Sequence, residues 1–148
     1  MGLRHNLDTS IFQTLTTTQT NPAAGADFVF TVNADQRIHV VSIDFQLITD
    51  ATAANRNVRV KFSDGTNDFS FCGHTTNITA SLTRQLHFST AYSASEQESA
   101  SGDYHIPLPP DLYLNPGDTL ESDVFNIQAT DAITAIVIRL HRWVSAAL

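Results

Sequence analysis

The chain has 148 residues, a formal charge of −7 and one cysteine. That length suits a single domain that buries about two-thirds of its unfolded surface, and a lone Cys72 excludes an internal disulfide. No stretch approaches the roughly 18 uninterrupted apolar residues of a membrane span. Between Arg84 and Arg139 there is no Lys or Arg, while carboxylates recur, so this half cannot offer nucleic acid a basic face.

Residues 1–26 differ from the rest. Their start has no apolar signal-peptide core, from which synthesis and folding in a cytoplasm are expected. Thr14-Leu-Thr-Thr-Thr-Gln-Thr20 is polar and β-branched, a composition that favours extended chain over helix. Asn21-Pro22 and Gly25 mark a turn or hinge. The segment is read as an extended arm with one edge strand around residues 11–18. Two roles stay open for it: a strand that completes the sheet, or an arm that orders against a neighbouring subunit.

The domain proper is expected over residues 27–148. In Asp27-Phe-Val-Phe-Thr-Val32, Phe28, Phe30 and Val32 share one face of a strand. The longest strand is predicted from Arg37 to Thr49. Strict alternation there puts Val41, Ile43, Phe45 and Leu47 inward, and Ser42, Asp44 and Gln46 outward. A hairpin follows, with Val58, Val60 and Phe62 inward. Asp64-Gly65 is its turn, and Phe69 and Phe71 are expected to return inward. Cys72 reads as a small buried hydrophobe.

Another strand region is expected across Ile78–Leu82 and Leu86–Phe88, broken near Thr83 and Arg84. Residues 92–102 have almost no large apolar side chains and read as an exposed loop. The stretch from Ile106 to Trp143 closes the fold with three strands. They are separated by the turns Asn115-Pro116-Gly117-Asp118 and Gln128-Ala129-Thr130-Asp131. Pro107, Pro109 and Pro110 each remove a ladder donor, so the first of the three is short or lies at an edge. The pattern predicts an all-β antiparallel sandwich or jelly roll of about eight strands, with no reason for a parallel pairing.

Few residues suggest chemistry. The histidines at 5, 39, 74, 87, 105 and 141 show no metal-ligand spacing, so no metal or cofactor is expected. No Gly-x-Ser-x-Gly elbow is present. Glu121 and Asp123 lie one strand period apart and read as solvated. Arg56, Arg59 and Lys61 form a small basic group, read as a solvated face or a protein contact. Trp143, Tyr113, Tyr92 and Tyr104 are candidates for a sugar-stacking platform; a single Trp at the end of a strand reads more readily as a core plug or an interface anchor.

Three runs carry a resemblance: Pro22 to Val32, Arg37-Ile-His-Val-Val-Ser-Ile43, and Ala51 to Val60. The closing set does too, with Ile106-Pro-Leu-Pro109, Leu112 to Asp118, Asn126 to Asp131 and the final Ile-Val-Ile-Arg-Leu strand. Over about residues 22–143 the sequence resembles small jelly-roll virion proteins of tailed bacteriophages, of the capsid decoration or cement type. The resemblance implies a non-enzymatic structural role. Its partners would be the major capsid protein and further copies of itself, as a homodimer or homotrimer, at the capsid surface. No nucleic-acid partner is expected from the acidic half without Lys or Arg, and no membrane partner from the lack of a long apolar stretch. The candidate contact residues are Leu3, Leu7, Ile11, Phe12 and Leu15 of the arm, with Arg56, Arg59, Lys61 and Trp143. The alternative is a tail, fibre or spike component that recognises a host glycan.

Overall fold

The computed structural model describes residues 11–93, 97–99 and 101–144. Leu3 and Leu7 lie outside them. The described chain is all-β, in two sheets. The larger is built from β1 (Ile11–Thr18), β3 (Gln36–Ile48), β6 (Thr83–Ser89), β7 (Gln97–Glu98), β8 (Tyr104–Pro107), β9 (Tyr113–Leu114) and β11 (Ala132–Val144). Its order is β1-β11-β3-β6-β8-β7, and β9 pairs with β3 beyond the end of β6. The smaller holds β2 (Val29–Thr31), β10 (Thr119–Phe125), β4 (Asn57–Ser63) and β5 (Asp68–Gly73), in the order β2-β10-β4-β5. Of these eleven strands, β2, β7 and β9 have only two or three residues each.

Residues 11–18 form the predicted edge strand. They pair antiparallel with β11 along their whole length. β6 and β8 run parallel, against expectation. Residues 90–103 separate them, enough chain to carry it back to the start of the sheet.

One core holds inward side chains from both sheets, among them Ile38, Phe45 and Ile138 of the larger and Val60, Phe62 and Leu120 of the smaller. Phe45 stacks on Phe88, with ring centroids 5.8 Å apart, and meets the edge of Phe28 at 5.4 Å. Each such buried ring contributes roughly 1.5–3 kcal/mol of transfer free energy.

Period-two alternation locates these strands but loses phase wherever a bulge intervenes. β11 carries one extra residue between Thr134 and Val137, and β3 one extra between Val40 and Ser42. The first bulge coincides with Ala135 at φ 53°. The two insertions cancel, so both strands regain register by Leu140 opposite Val40. As a result Ile38 and Val40 are buried with Ile43, and Val41 is not, contrary to the strict alternation predicted for it.

β5 corrects a second expectation. Phe69 and Phe71 are 49 % and 51 % exposed. Opposed residues in an antiparallel pair share a face. Cys72 lies opposite the inward Val60 and Ser70 opposite the inward Phe62, so the phenylalanines must point out. The register shift beside the Asp64-Gly65 turn sets this phase. The strand expected from Ile78 begins only at Thr83. Ile78 itself makes an isolated bridge to Arg56, and Ser81 at φ 57° turns the chain between them.

Candidate functional site

Outward positions of the large sheet bring together side chains distant in sequence. Trp143 of β11 lies opposite Phe12 of β1 and Arg37 of β3, and His141 lies opposite His39. His39 in turn lies opposite Tyr113 of β9. The five rings form a closed circuit. Centroid distances are 5.3 Å from Phe12 to Trp143, 5.9 Å from Trp143 to Tyr113 and 4.8 Å from Tyr113 to His39. They are 5.6 Å from His39 to His141 and 5.2 Å from His141 back to Phe12. The Arg37 guanidinium sits over Tyr113, 4.9 Å from its centroid. A His39 ring nitrogen lies 2.8 Å from the Pro110 carbonyl, which anchors the circuit to the β8–β9 connection.

The circuit is at the surface: Phe12 is 54 % and Tyr113 41 % exposed, and Trp143 is half-buried. Most of its rings meet at steep tilts, 44° to 57°, and only the His39–Tyr113 pair stacks, at 27°. Much of their face area is therefore spent on one another. Trp143 is thus no core plug. Of the four candidate sugar-stacking rings, Trp143 and Tyr113 meet here. Tyr104 is buried and stands 3.9 Å from His74, and Tyr92 lies elsewhere on the sheet.

A polar group occupies the same face further along. Asp44 takes a 2.7 Å contact from His87 and a 3.2 Å hydrogen bond from Ser42. His87 stacks on His105 at 5.2 Å, and His105 lies 2.7 Å from the Tyr92 hydroxyl. Burial, and next the Asp44 charge, push the Tyr92 phenol above its ordinary range. Ser42 bonds to the carboxylate and not to the imidazole, so this is not the nucleophile–base arrangement of a triad. Four of the histidines that look scattered in sequence therefore pair across strands, His39 with His141 and His87 with His105. Among the described residues no three His, Cys, Asp or Glu side chains converge as a metal-ligand group.

The proposed basic group does not survive folding. Arg59 and Lys61 are on the outer face of the small sheet, but each is paired. Arg59 meets Asp123 at 2.6 Å and lies over the Phe71 ring at 5.0 Å; Lys61 meets Glu121 at 3.0 Å. The Glu121 hydrogen bond raises the Lys61 amine above its ordinary range. Arg56 has opposite parity and is fully buried, which corrects its reading as a contact residue. Its guanidinium bonds Asp131 twice at 2.9 Å and Asp50 at 2.7 Å. The remaining donors go to the Thr52 and Ala54 carbonyls. All five N–H groups are thereby satisfied.

Of the arm candidates, Phe12 joins the aromatic circuit, Leu15 packs against the core, and Ile11 pairs with Val144 in the ladder. Cys72 is buried, and burial pushes its thiol up to about 11, far from the range of a nucleophile. It borders an open cleft of about 620 Å³ beside Gly73, Ile106 and Leu108. A second hollow of about 490 Å³ is lined by Ala53, Ala54, Asn55, Thr79, Ala80 and Asn126. Among the described residues that line them, neither has an acid, a base or a cation. Comparison with family models, with curated proteins and with solved structures returns no match.

Proposed function

We propose that the chain is a non-enzymatic virion structural protein that decorates the outside of a capsid and braces it by binding. The observation that carries this reading is the exposed circuit of Phe12, Trp143, Tyr113, His39 and His141 with Arg37 beside it. Trp, Tyr and Arg are the residue types that dominate binding energy at protein interfaces. Here they are clustered, partly exposed and held on a rigid sheet rather than on loops. The major capsid protein is the proposed partner.

The fold proposed with it is a jelly-roll sandwich. Support comes from the pairing. With the short inserted segments β7, β8 and β9 set aside, the remaining eight strands pair first with last, second with seventh, third with sixth and fourth with fifth. A long antiparallel ribbon rolled on itself produces that nesting.

The test uses capsids stripped of their decoration and re-incubated with the full chain. Near-stoichiometric, evenly spaced copies on the shell are expected. A W143A/Y113A double variant should bind at least tenfold more weakly, since each hot-spot truncation costs about 2 kcal/mol or more. Absence of the protein from the shell, or unchanged binding by the double variant, would overturn the reading. A second reading, glycan recognition by a tail or spike component, is favoured by the exposure of Phe12 and Tyr113. It is opposed by the ring tilts. Saccharide binding by the isolated protein, lost in the same double variant, would establish it.

A further inference from the structure

The sheet edges of this protein are not treated alike. An open edge presents unpaired N–H and C=O groups, and proteins blunt such edges by shortening, charging or bulging the strand. β7 and β2 are blunted by length, at two and three residues. β5 begins at Asp68 and carries a register shift against β4. β1 has none of these devices. It is eight residues long, Ile-Phe-Gln-Thr-Leu-Thr-Thr-Thr, without a charge, a proline or a register shift.

The orientation of its free groups follows from one hydrogen bond. The Gln19 N–H donates to the Ile136 carbonyl at 3.1 Å, in continuation of the β1–β11 register. In an antiparallel ladder alternate residues face the neighbour. Thr17, Leu15 and Gln13 therefore turn their backbone groups to β11. Phe12, Thr14, Thr16 and Thr18 turn theirs away from β11, to a side on which no strand among the described residues pairs with β1.

We propose that β1 is a self-association edge, on which a second copy of this chain pairs antiparallel so that two large sheets become one across a two-fold axis. The strand is self-complementary. With Phe12 opposite Thr18 and Thr14 opposite Thr16, all four outward-facing residues of each copy find partners. Cross-strand threonines are a favourable pairing, and Leu15 meets Leu15 of the second copy. Charge favours this edge too. At −7 overall two copies repel, but β1 brings no charged residue to the contact. The proposal stands apart from capsid binding, and either can fail alone.

The test is the mass of the full chain by light scattering and sedimentation. A concentration-dependent species of twice the 16.2 kDa chain mass is expected. Thr16→Pro should abolish it while leaving the thermal midpoint nearly unchanged, because the Thr16 N–H points away from β11. Leu15→Pro, by contrast, removes a donor to β11 and should lower the midpoint. If Thr16→Pro also proves misfolded, the T14K/T16K variant replaces it, since it sets like charges across the axis. A wild-type monomer up to about 0.5 mM, too weak to matter, would overturn the proposal. So would a dimer that survives in folded edge variants, or one that forms only after residues 1–10 are removed.

Discussion

Asp131→Asn is the most informative single perturbation, because every group around that carboxylate is a donor. Oδ2 accepts from Arg56 Nε at 2.9 Å and from the Gln128 amide at 2.8 Å. Oδ1 accepts from Arg56 Nη2 at 2.9 Å and from the Asp50 amide at 2.8 Å. An amide NH₂ in either place confronts two donors with a third. Each stranded buried donor costs about 1–3 kcal/mol, and removing one member of a buried ion pair costs about 3–5 kcal/mol. The two routes agree on about 3–5 kcal/mol, a fall in Tm on the order of 6–20 °C for a chain of this size. The measurements are urea titration and thermal melting. Asp123→Asn is the control: its Arg59 partner is half exposed, so its loss should cost less than about 1 kcal/mol. The pH dependence has a definite sign. Burial pushes the Asp131 carboxyl up, but the hydrogen bonds from Arg56, Gln128 and Asp50 outweigh it and hold the group below its ordinary value. Its stabilisation is therefore complete above about pH 4, the unfolded value. It is lost as pH falls from there through the lower folded value, and the variant should lack this acid limb. Equal losses for Asp131→Asn and Asp123→Asn would refute the reasoning.

The opposite sign is expected at Asp27. Burial is the leading cause that raises its carboxyl, reinforced by Asp123 and Glu121 against hydrogen bonds from Ser122 and Val124. The folded state thus takes up the proton first, and stability at this site grows as pH falls through the raised value toward 3.8. Asp27→Asn keeps an oxygen for Ser122 and the Val124 amide, so its Tm at pH 7 should equal or exceed that of the wild type, with the gap closing near pH 4; a lower Tm at pH 7 would contradict this. Cys72, with its thiol near 11, should resist a disulfide reagent at pH 8 in the folded protein and react fully in urea. Rapid labelling of the native chain would return the thiol to the list of nucleophiles.

The strand positions were largely legible because burial on one face leaves a period of two, and Val58, Val60 and Phe62 obey it. What stayed hidden was phase. A bulge adds one residue and no composition signal, so nothing local distinguishes Val40 from Val41 as the inward side chain. Ala135 in the left-handed region is equally silent, since alanine carries no turn preference there. β5 fails for a related reason: Phe69 and Phe71 alternate as a buried pair would, and only their register against Val60 and Phe62 turns them out. Arg56 shows the reverse error. Its charge suggested surface, but it immediately precedes β4 at the inward parity, and the fully buried carboxylate that it bonds twice, Asp131, is 75 residues away.

The aromatic circuit was illegible for a deeper reason. Its members come from β1, β3, β9 and β11, and none is the neighbour of another along the chain except through the two-residue step from His141 to Trp143. Read singly, Phe12 is an arm residue and His39 one of several scattered histidines, while Tyr113 and Trp143 are candidate sugar-stacking rings together with Tyr104 and Tyr92, which the fold places elsewhere. The members of the circuit become a unit because β11 is inserted between the first and third strands, which places the first and last described strands side by side and next to β3. The same insertion leaves β1 outermost. The aromatic patch and the uncharged open edge are thus two consequences of one topological fact, and Phe12 belongs to both: its ring faces the patch while its backbone faces the edge. Substitution of Phe12 by Ala should weaken contacts made through the rings without unpairing the strand, whereas Thr16→Pro should close the edge without disturbing the rings. A protein in which both variants fail in the same assay, to the same extent, would have one interface spanning the two features. Separate effects would mean that assembly with itself and attachment to a partner use different sides of the same strand.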